Sequence, residues 1–387
     1  MENTPRLYDT LSRFLRQCRH WLDVRHWKTL TWMVVGLLAS EKVSLTAWVP
    51  FVKSRAQYAQ STVRRFDRWL DNERLNVHQL YGPLIQQALR EWGDFRLRLA
   101  LDTSMLWDRY CIVRISLIYR GRAVPLVWTV LEHGSSSVAY QTYASLLDQA
   151  AALLPLGCTV EFLADRGFAD TALLNQLKNL GWHWRIRIKR SFQVYRHGKF
   201  RKLKRVMLAK GQARFWHDVW ITKDYYGPVH VAMARPCGGK DYWYVVSDEP
   251  TGQATFAEYG ARFDIEENFL DDKSNGFQLE ASLIRSAHAL TRLCFVLAVA
   301  TLYLTAQGAA VVATGQRRRV DPHWFRGNSY LRIGWQWVKL ALAQGEPLLT
   351  RVRLSGEPDP EPPRASNRQF HKRRLRQRNA ILSISYA

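Results

Sequence analysis

The chain has 387 residues, 47% of them hydrophobic, with 16 Trp and a formal net charge of +23 from 56 Lys+Arg against 33 Asp+Glu. That length and apolar content exclude a disordered protein and exceed one typical small domain. The one-sided charge calls for a polyanionic partner, nucleic acid ahead of an anionic membrane surface. Cys18, Cys111, Cys158, Cys237 and Cys294 are scattered with no C-x-x-C pair, which argues against a zinc ribbon or a disulfide framework and fits a reducing cytoplasm. The start, Met1–Pro5, lacks the pattern of a signal peptide. No G-x-x-x-x-G-K-[ST] phosphate loop is present, so an ATP-driven enzyme is not indicated.

Residues 1–92 read as a helical N-terminal region, a candidate for DNA binding. In Ser61–Leu70 a Ser/Thr start precedes Val63, Phe66, Trp69 and Leu70 at helical spacing, which leaves Arg64, Arg65 and Arg68 outward. Such a face suits DNA reading, and it equally suits an ordinary solvated helix. From about residue 93 the texture turns to strands: Leu97–Asp102, Tyr110–Tyr119 and Arg122–Val130. A helix over Ala139–Leu154, a strand over Cys158–Asp165, a helix over Asp170–Leu180 and a strand over His183–Lys189 follow. The order β-β-β-α-β-α-β predicts an α/β core over 93–190, a mixed sheet with helices on its faces.

Residues 191–250 read as a β-rich insertion with strands at Ala213–Thr222, Pro228–Arg235 and Asp241–Asp248. The core resumes over 251–315 with helical patterning at Ala254–Asn275 and Ser286–Thr314, and a helical C-terminal region (316–354) contains Tyr330–Gln344. Leu293–Thr314 is apolar enough to imitate a membrane span. Its Thr301, Thr305, Gln307 and Gly308, with basic residues on both sides, favour a buried core helix and no membrane partner. Residues 355–387 read as a Pro/acidic linker and a basic tail with Arg364, Arg368, Lys372, Arg373, Arg374, Arg376 and Arg378.

Three acids carry the chemistry. Asp102 and Asp165 each end an apolar strand, and Glu266 lies on the helical stretch after the insertion. Carboxylates at the ends of neighbouring buried strands, closed by one from a helix, make an all-oxygen cage for hard divalent cations. At about 100° per residue, Tyr259, Arg262, Glu266 and Lys273 fall on one narrow helical face, while Asp264, Glu267, Asp271 and Asp272 point away. Arg262 would grip a phosphate, Lys273 add a point charge and Tyr259 donate a hydrogen bond; alternatively Arg262–Glu266 is an ordinary i,i+4 salt bridge. Without metal the acids should repel and at least one pKa rise.

These residues resemble the Tyr-(2)-Arg-(3)-Glu-(6)-Lys signature of bacterial insertion-sequence transposases of the DDE class, cut-and-paste type, with every spacing met. Chance would produce the match in roughly one window per 10⁵, so it outweighs the salt-bridge alternative. Asp102 in Leu-Asp-Thr-Ser and Asp165 in Ala-Asp-Arg-Gly-Phe are similar to the family's first and second acids. Trp243–Pro250 resembles the segment before the signature, and the likeness covers about residues 95–315.

The resemblance implies an RNase H-like core interrupted by a β-rich insertion, two Mg²⁺ or Mn²⁺ ions held by the acids, and a homodimer that pairs two element ends. It implies binding of the terminal inverted repeats and of target DNA, strand cleavage and strand transfer, in a bacterial cytoplasm at the nucleoid. It also implies that Trp243 stacks on a flipped base, the other reading being a core tryptophan. Eleven Lys/Arg and no acid lie between Arg185 and Lys210; Arg187 and Lys189 alternate there with apolar residues, so one strand face is cationic and suited to a DNA backbone, or is a solvated edge. A related nuclease that cuts without joining, and an element-derived DNA-binding protein without catalysis, are the alternatives.

Overall fold

In the computed structural model, residues 4–17, 23–237 and 241–363 are described. The N-terminal region is helical: α1 (Thr4–Leu15), α2 (Val24–Ser40), α3 (Leu45–Trp48), α4 (Ala59–Leu70) and α5 (Val77–Leu89). Side chains of Asp23, Ser44 and Asn76 cap α2, α3 and α5 by accepting from backbone N–H groups that the first turn leaves without partners. In α4, Phe66, Trp69 and Leu70 are buried, as their spacing predicts.

β1 (Arg96–Leu106), β2 (Tyr110–Tyr119) and β3 (Arg122–Glu132) form an antiparallel meander. After α6 (Tyr140–Ala151), β4 (Thr159–Ala164) returns parallel to β1, and after α7 (Thr171–Asn179), β5 (His183–Arg187) lies parallel to β4. The order β3-β2-β1-β4-β5, antiparallel then parallel, is the RNase H-like arrangement expected from the sequence.

Among the described residues, the stretch after β5 holds five strands: β6 (Gln193–Arg196), β7 (Lys199–Lys202), β8 (Ala213–Ile221), β9 (Tyr226–Ala234) and β10 (Trp243–Ser247). They do not form a separate layer. β10 pairs antiparallel with β5, so the insertion continues the core sheet to ten strands ending -β5-β10-β9-β8-β6-β7. β6 and β7 escape the sequence pattern because each has only four residues and β7 is mostly charged; His197 and Gly198, both at positive φ, make the tight turn between them.

Four helices complete the described chain: α8 (Ala254–Gly260), α9 (Phe263–Leu270), α10 (Ala287–Ala313) and α11 (Tyr330–Gln344). α10 is apolar on all sides because it is buried nearly throughout, packed on α11, β3 and the N-terminal helices. Its long apolar run thus belongs to the core. α10 and α11 touch backbone to backbone. A Cβ on Gly308 would lie 1.9 Å from the Tyr330 carbonyl oxygen, and one on Gly334 1.9 Å from that of Leu304. Gly334→Ala should therefore push the helices apart and cost about 3 kcal/mol or more, measurable by urea unfolding.

Leu354 and the Pro/acidic stretch after it are tied to the body of the protein. Leu354 N–H donates to Ala88 O (2.9 Å), and Trp92 Nε1 donates to Leu354 O (2.6 Å). Arg326 and Tyr330 donate to Asp359, and Arg317 donates to Glu361. Arg317 and Arg326 are buried, so the acids of this stretch neutralise guanidinium groups of the body. The basic tail from Arg364 onward lies outside the described residues, as does Cys18.

Candidate active site

The three acids approach one another from three elements. Asp102 sits midway along β1, Asp165 directly follows β4, the parallel neighbour of β1, and Glu266 is in the first turn of α9. Two residues join them. Arg262 donates through Nη1 to Asp102 Oδ2 (2.9 Å) and through Nη2 to Glu266 Oε1, so both carboxylates share one guanidinium fork. Its Nε donates to the Tyr259 hydroxyl (3.1 Å), which in turn donates to Asp165 Oδ1 (3.3 Å).

This corrects the expected helical face. Residues 254–275 are not one regular helix. Between α8 and α9 the bonds run i to i+3, from Arg262 N to Tyr259 O and from Ile265 N to Arg262 O, as in a 3₁₀ turn. Side chains three apart then eclipse, which brings the Tyr259 hydroxyl onto Arg262 Nε. At the other end Asp271–Asn275 is a π turn, and the chain doubles back so tightly that a Cβ on Gly276 would lie 2.7 Å from Asp271 O. Tightening at one end and widening at the other defeat a uniform 100° step. Tyr259 and Arg262 reach the acids, but both are buried, and Arg262 faces carboxylates where a phosphate was expected. Lys273 instead lies 3.8 Å from Glu280 in the 3₁₀ turn Leu279–Ala281.

Asp102 is mostly buried, and its Oδ1 accepts from Thr103 N–H (2.9 Å). Burial drives its pKa up to about 6; Arg262 opposes the rise, while Glu266 and Asp165 add to it only weakly. The predicted rise is found, although desolvation rather than mutual repulsion is the main cause. A carboxyl raised in the fold binds an extra proton between its unfolded pKa near 4 and its folded value near 6. Its contribution is therefore complete below pH 4 and is lost as pH rises through 6. In metal-free protein Asp102→Asn should melt above wild type at pH 8, by about 3 kcal/mol at most, and the gap should close toward pH 4.

Glu267, Asp271 and Asp272 are held by arginines of β2 and β3. Arg122 on β3 donates to Asp271 (3.1 Å) and lies 3.6 Å from Glu267. Arg114 on β2 donates through Nη1 to Asn268 Oδ1 (2.8 Å) and Asp272 Oδ2 (2.6 Å), and its guanidinium covers Phe269 at 4.7 Å. Arg114 and Asp272 are each 1% exposed. This cluster was missed from sequence, though one signal was present: Arg114 is the lone charge in the apolar run Tyr110–Tyr119.

Trp243, at the start of β10, is half-buried beside the site. Its ring meets Tyr259 edge-on at 5.9 Å and Phe263 at 6.1 Å, and the Arg187 guanidinium covers it at 5.4 Å. Lys189 is exposed just beyond β5. Arg185 departs from the expected cationic face: it is buried among Glu161, Glu249 and Glu258, since the neighbouring strands and α8 bring acids to it.

In the N-terminal region Arg64 and Arg68 are exposed, but Arg65 turns inward, its guanidinium 5.3 Å from the Phe66 ring. A cleft of about 630 Å³ opens there between α1, α2 and α4, lined by Tyr8, Arg25, Lys28, Trp32, Arg65 and Arg68 among others. Nε and Nη2 of Arg65 are buried without a hydrogen-bond partner.

The sequence profile described as "Transposase DDE domain" matches residues 108–303, just over half of the chain. The chain belongs to this DDE transposase family. Asp165, Trp243, Tyr259, Arg262, Glu266 and Lys273 of the transposase fall within the matched span, and Asp102 lies just before it. No curated protein matches the transposase in sequence. A solved structure described as the "Cryo-EM structure of piggyBac transposase synaptic complex with hairpin DNA" is similar at 10% identity, covering 96% of this chain and 90% of that one with a TM-score of 0.46. Family membership rests on the sequence match.

As placed, no three carboxylates, imidazoles or thiolates among the described residues stand close enough to share an ion. Arg262 accounts for this, because its fork stands between Asp102 and Glu266. The residues nonetheless fit a hard cation. All three acids offer oxygen donors, and two of them already converge on a positive group that a divalent ion could replace.

Proposed function

We propose that this transposase, of the bacterial insertion-sequence type marked by the Tyr259-Arg262-Glu266-Lys273 spacing, binds the terminal inverted repeats of its element and performs DNA strand cleavage and strand transfer. Asp102, Asp165 and Glu266 are the catalytic carboxylates, holding two Mg²⁺ or Mn²⁺ ions. The observation that carries the reading is the convergence of these acids, more than 160 residues apart at the extremes, on the single Arg262–Tyr259 pair. Bound there, a pair of divalent ions supplies Lewis-acid stabilisation of the attacking and leaving oxygens in an in-line displacement at phosphorus.

The chain's own groups do the rest. Arg262 gives up Asp102 and Glu266 and turns to the scissile phosphate, exchanging one anionic partner for another. Tyr259 keeps its hydroxyl on Asp165 and orients that carboxylate. Trp243, beside Tyr259 and only half-buried, offers a ring edge and face to a base displaced next to the cut, a contact worth about 1–3 kcal/mol. Arg187 and Lys189 continue the cationic surface from that ring. In the N-terminal region the cleft lined by Arg65 and Arg68 takes backbone phosphates, with Arg64 outside it on the exposed face of α4. Two copies pair two element ends at the bacterial nucleoid.

The test is incubation with DNA carrying the repeats that flank the coding sequence, Mg²⁺ and a supercoiled target, followed by sequencing of the products. Cuts at the element borders and joined target products are expected. Cuts without joining would reduce the protein to a nuclease. Binding without any cut would contradict the catalytic reading.

A further inference from the structure

Arg114 is an expensive residue to bury, and its surroundings indicate what it is for. It lies on β2 directly opposite Asp102 in the β1–β2 register. From there it crosses to the segment that follows Glu266, where its Nη1 donates to both Asn268 and Asp272. Asn268 and Asp272 are four residues apart, so this nitrogen spans the join between the end of α9 and the π turn. Residues four apart fall on one side of a helical segment, which lets a single nitrogen reach both. Phe269 closes the cluster beneath the guanidinium. A buried ion pair like this one gains little net stability over apolar residues of the same volume, because desolvating two charges offsets their attraction. A specific geometry is the better account of its presence.

We infer that Arg114, with Asp272 and Asn268, is a positioning cluster that fixes α9 against β2 and thereby sets the separation between Glu266 and Asp102. This rests on the reading of those acids as ion ligands. Metal ligands depend on such supporting groups for orientation, and their loss commonly weakens affinity about 10- to 100-fold. Arg122, on Asp271 and Glu267, braces the outer side of the same segment.

The test uses full-length protein and Mn²⁺, with free Mn²⁺ read by electron paramagnetic resonance. The double variant Arg114→Met/Asp272→Leu removes both charges while keeping apolar volume, so it should fold and bind DNA as wild type does. Its Mn²⁺ dissociation constant should rise about 10- to 100-fold. The Mg²⁺ concentration for half-maximal DNA cleavage should rise in parallel, with much of the maximal rate recovered at saturation. A folded double variant with wild-type Mn²⁺ affinity would overturn the inference. If the double variant does not fold, the isosteric Asp272→Asn carries the same readout; failure of both to fold would assign the cluster to stability and reject the positioning role. Absence of Mn²⁺ uptake by the wild type would instead sink the reading of the acids as ligands, so the two failures are distinguishable.

Discussion

Asp165→Asn and Glu266→Gln are each expected to abolish DNA strand cleavage, by at least about a thousand-fold, with DNA binding kept within a few-fold. Loss of about 4 kcal/mol of transition-state stabilisation suffices for that factor. Three neighbouring acids are already engaged by arginines. Asp271 and Glu267 are engaged by Arg122 on β3, and Asp272 is engaged by Arg114 on β2. Both substitutions preserve shape and an oxygen acceptor, so Tyr259 and Arg262 keep a hydrogen-bond partner and the fold should survive. Single-turnover cleavage of end-labelled DNA, beside an anisotropy titration of the same DNA, separates the two effects. Cleavage by either variant at the wild-type rate would remove its acid from the site.

Arg262→Met should produce the largest change in the metal-free protein. Arg262 is 3% exposed and contacts Asp102, Glu266 and Tyr259 at once. Removing one partner of a buried pair costs about 3–5 kcal/mol, because the remaining charge has no compensation. Asp102, already raised to about 6, would rise further and take up a proton. A melting-temperature loss of about 4–6 °C in EDTA is expected. Added Mn²⁺ should restore the variant more than it raises wild type, since in wild type the ion must first displace the guanidinium. Equal responses to Mn²⁺ in the two proteins would show that Arg262 and the ion do not compete.

The same competition explains which parts of the site were legible in the sequence. Asp102 and Asp165 could be placed because an apolar run ending in an acid is visible residue by residue, and the parallel β1–β4 pairing then brings the two together. The strand order of the core was legible for the same reason: its strands are long, apolar and separated by clear turns. Glu266 was identified by its spacing from Tyr259, Arg262 and Lys273, but its surroundings were not. A helical wheel assumes uniform winding, whereas this segment is tightened at Arg262 and widened at Asp271–Asn275. The wheel also cannot register the tertiary partners of a charged side chain. Arg185 and Arg65 read as outward cations and Arg262 as a grip on phosphate, yet Arg185 and Arg262 are turned inward by acids from elsewhere in the chain and Arg65 packs against the Phe66 ring. The acidic stretch before the tail gave no sign of its partners: Asp359 and Glu361 answer Arg326 and Arg317. The ten-strand extent of the sheet was hidden because the pairing of β10 with β5 joins segments with no local pattern in common.

Iron-directed backbone cleavage tests the central claim most directly. Fe²⁺ bound in place of Mg²⁺, with ascorbate and peroxide, cuts a polypeptide close to the ion, and the fragments are read by mass spectrometry. Breaks clustered near residues 102, 165 and 266 together, suppressed by excess Mg²⁺ and lost in Asp165→Asn, are the predicted result. Breaks confined to other segments, or an unchanged pattern in Asp165→Asn, would contradict a shared metal site at these three acids.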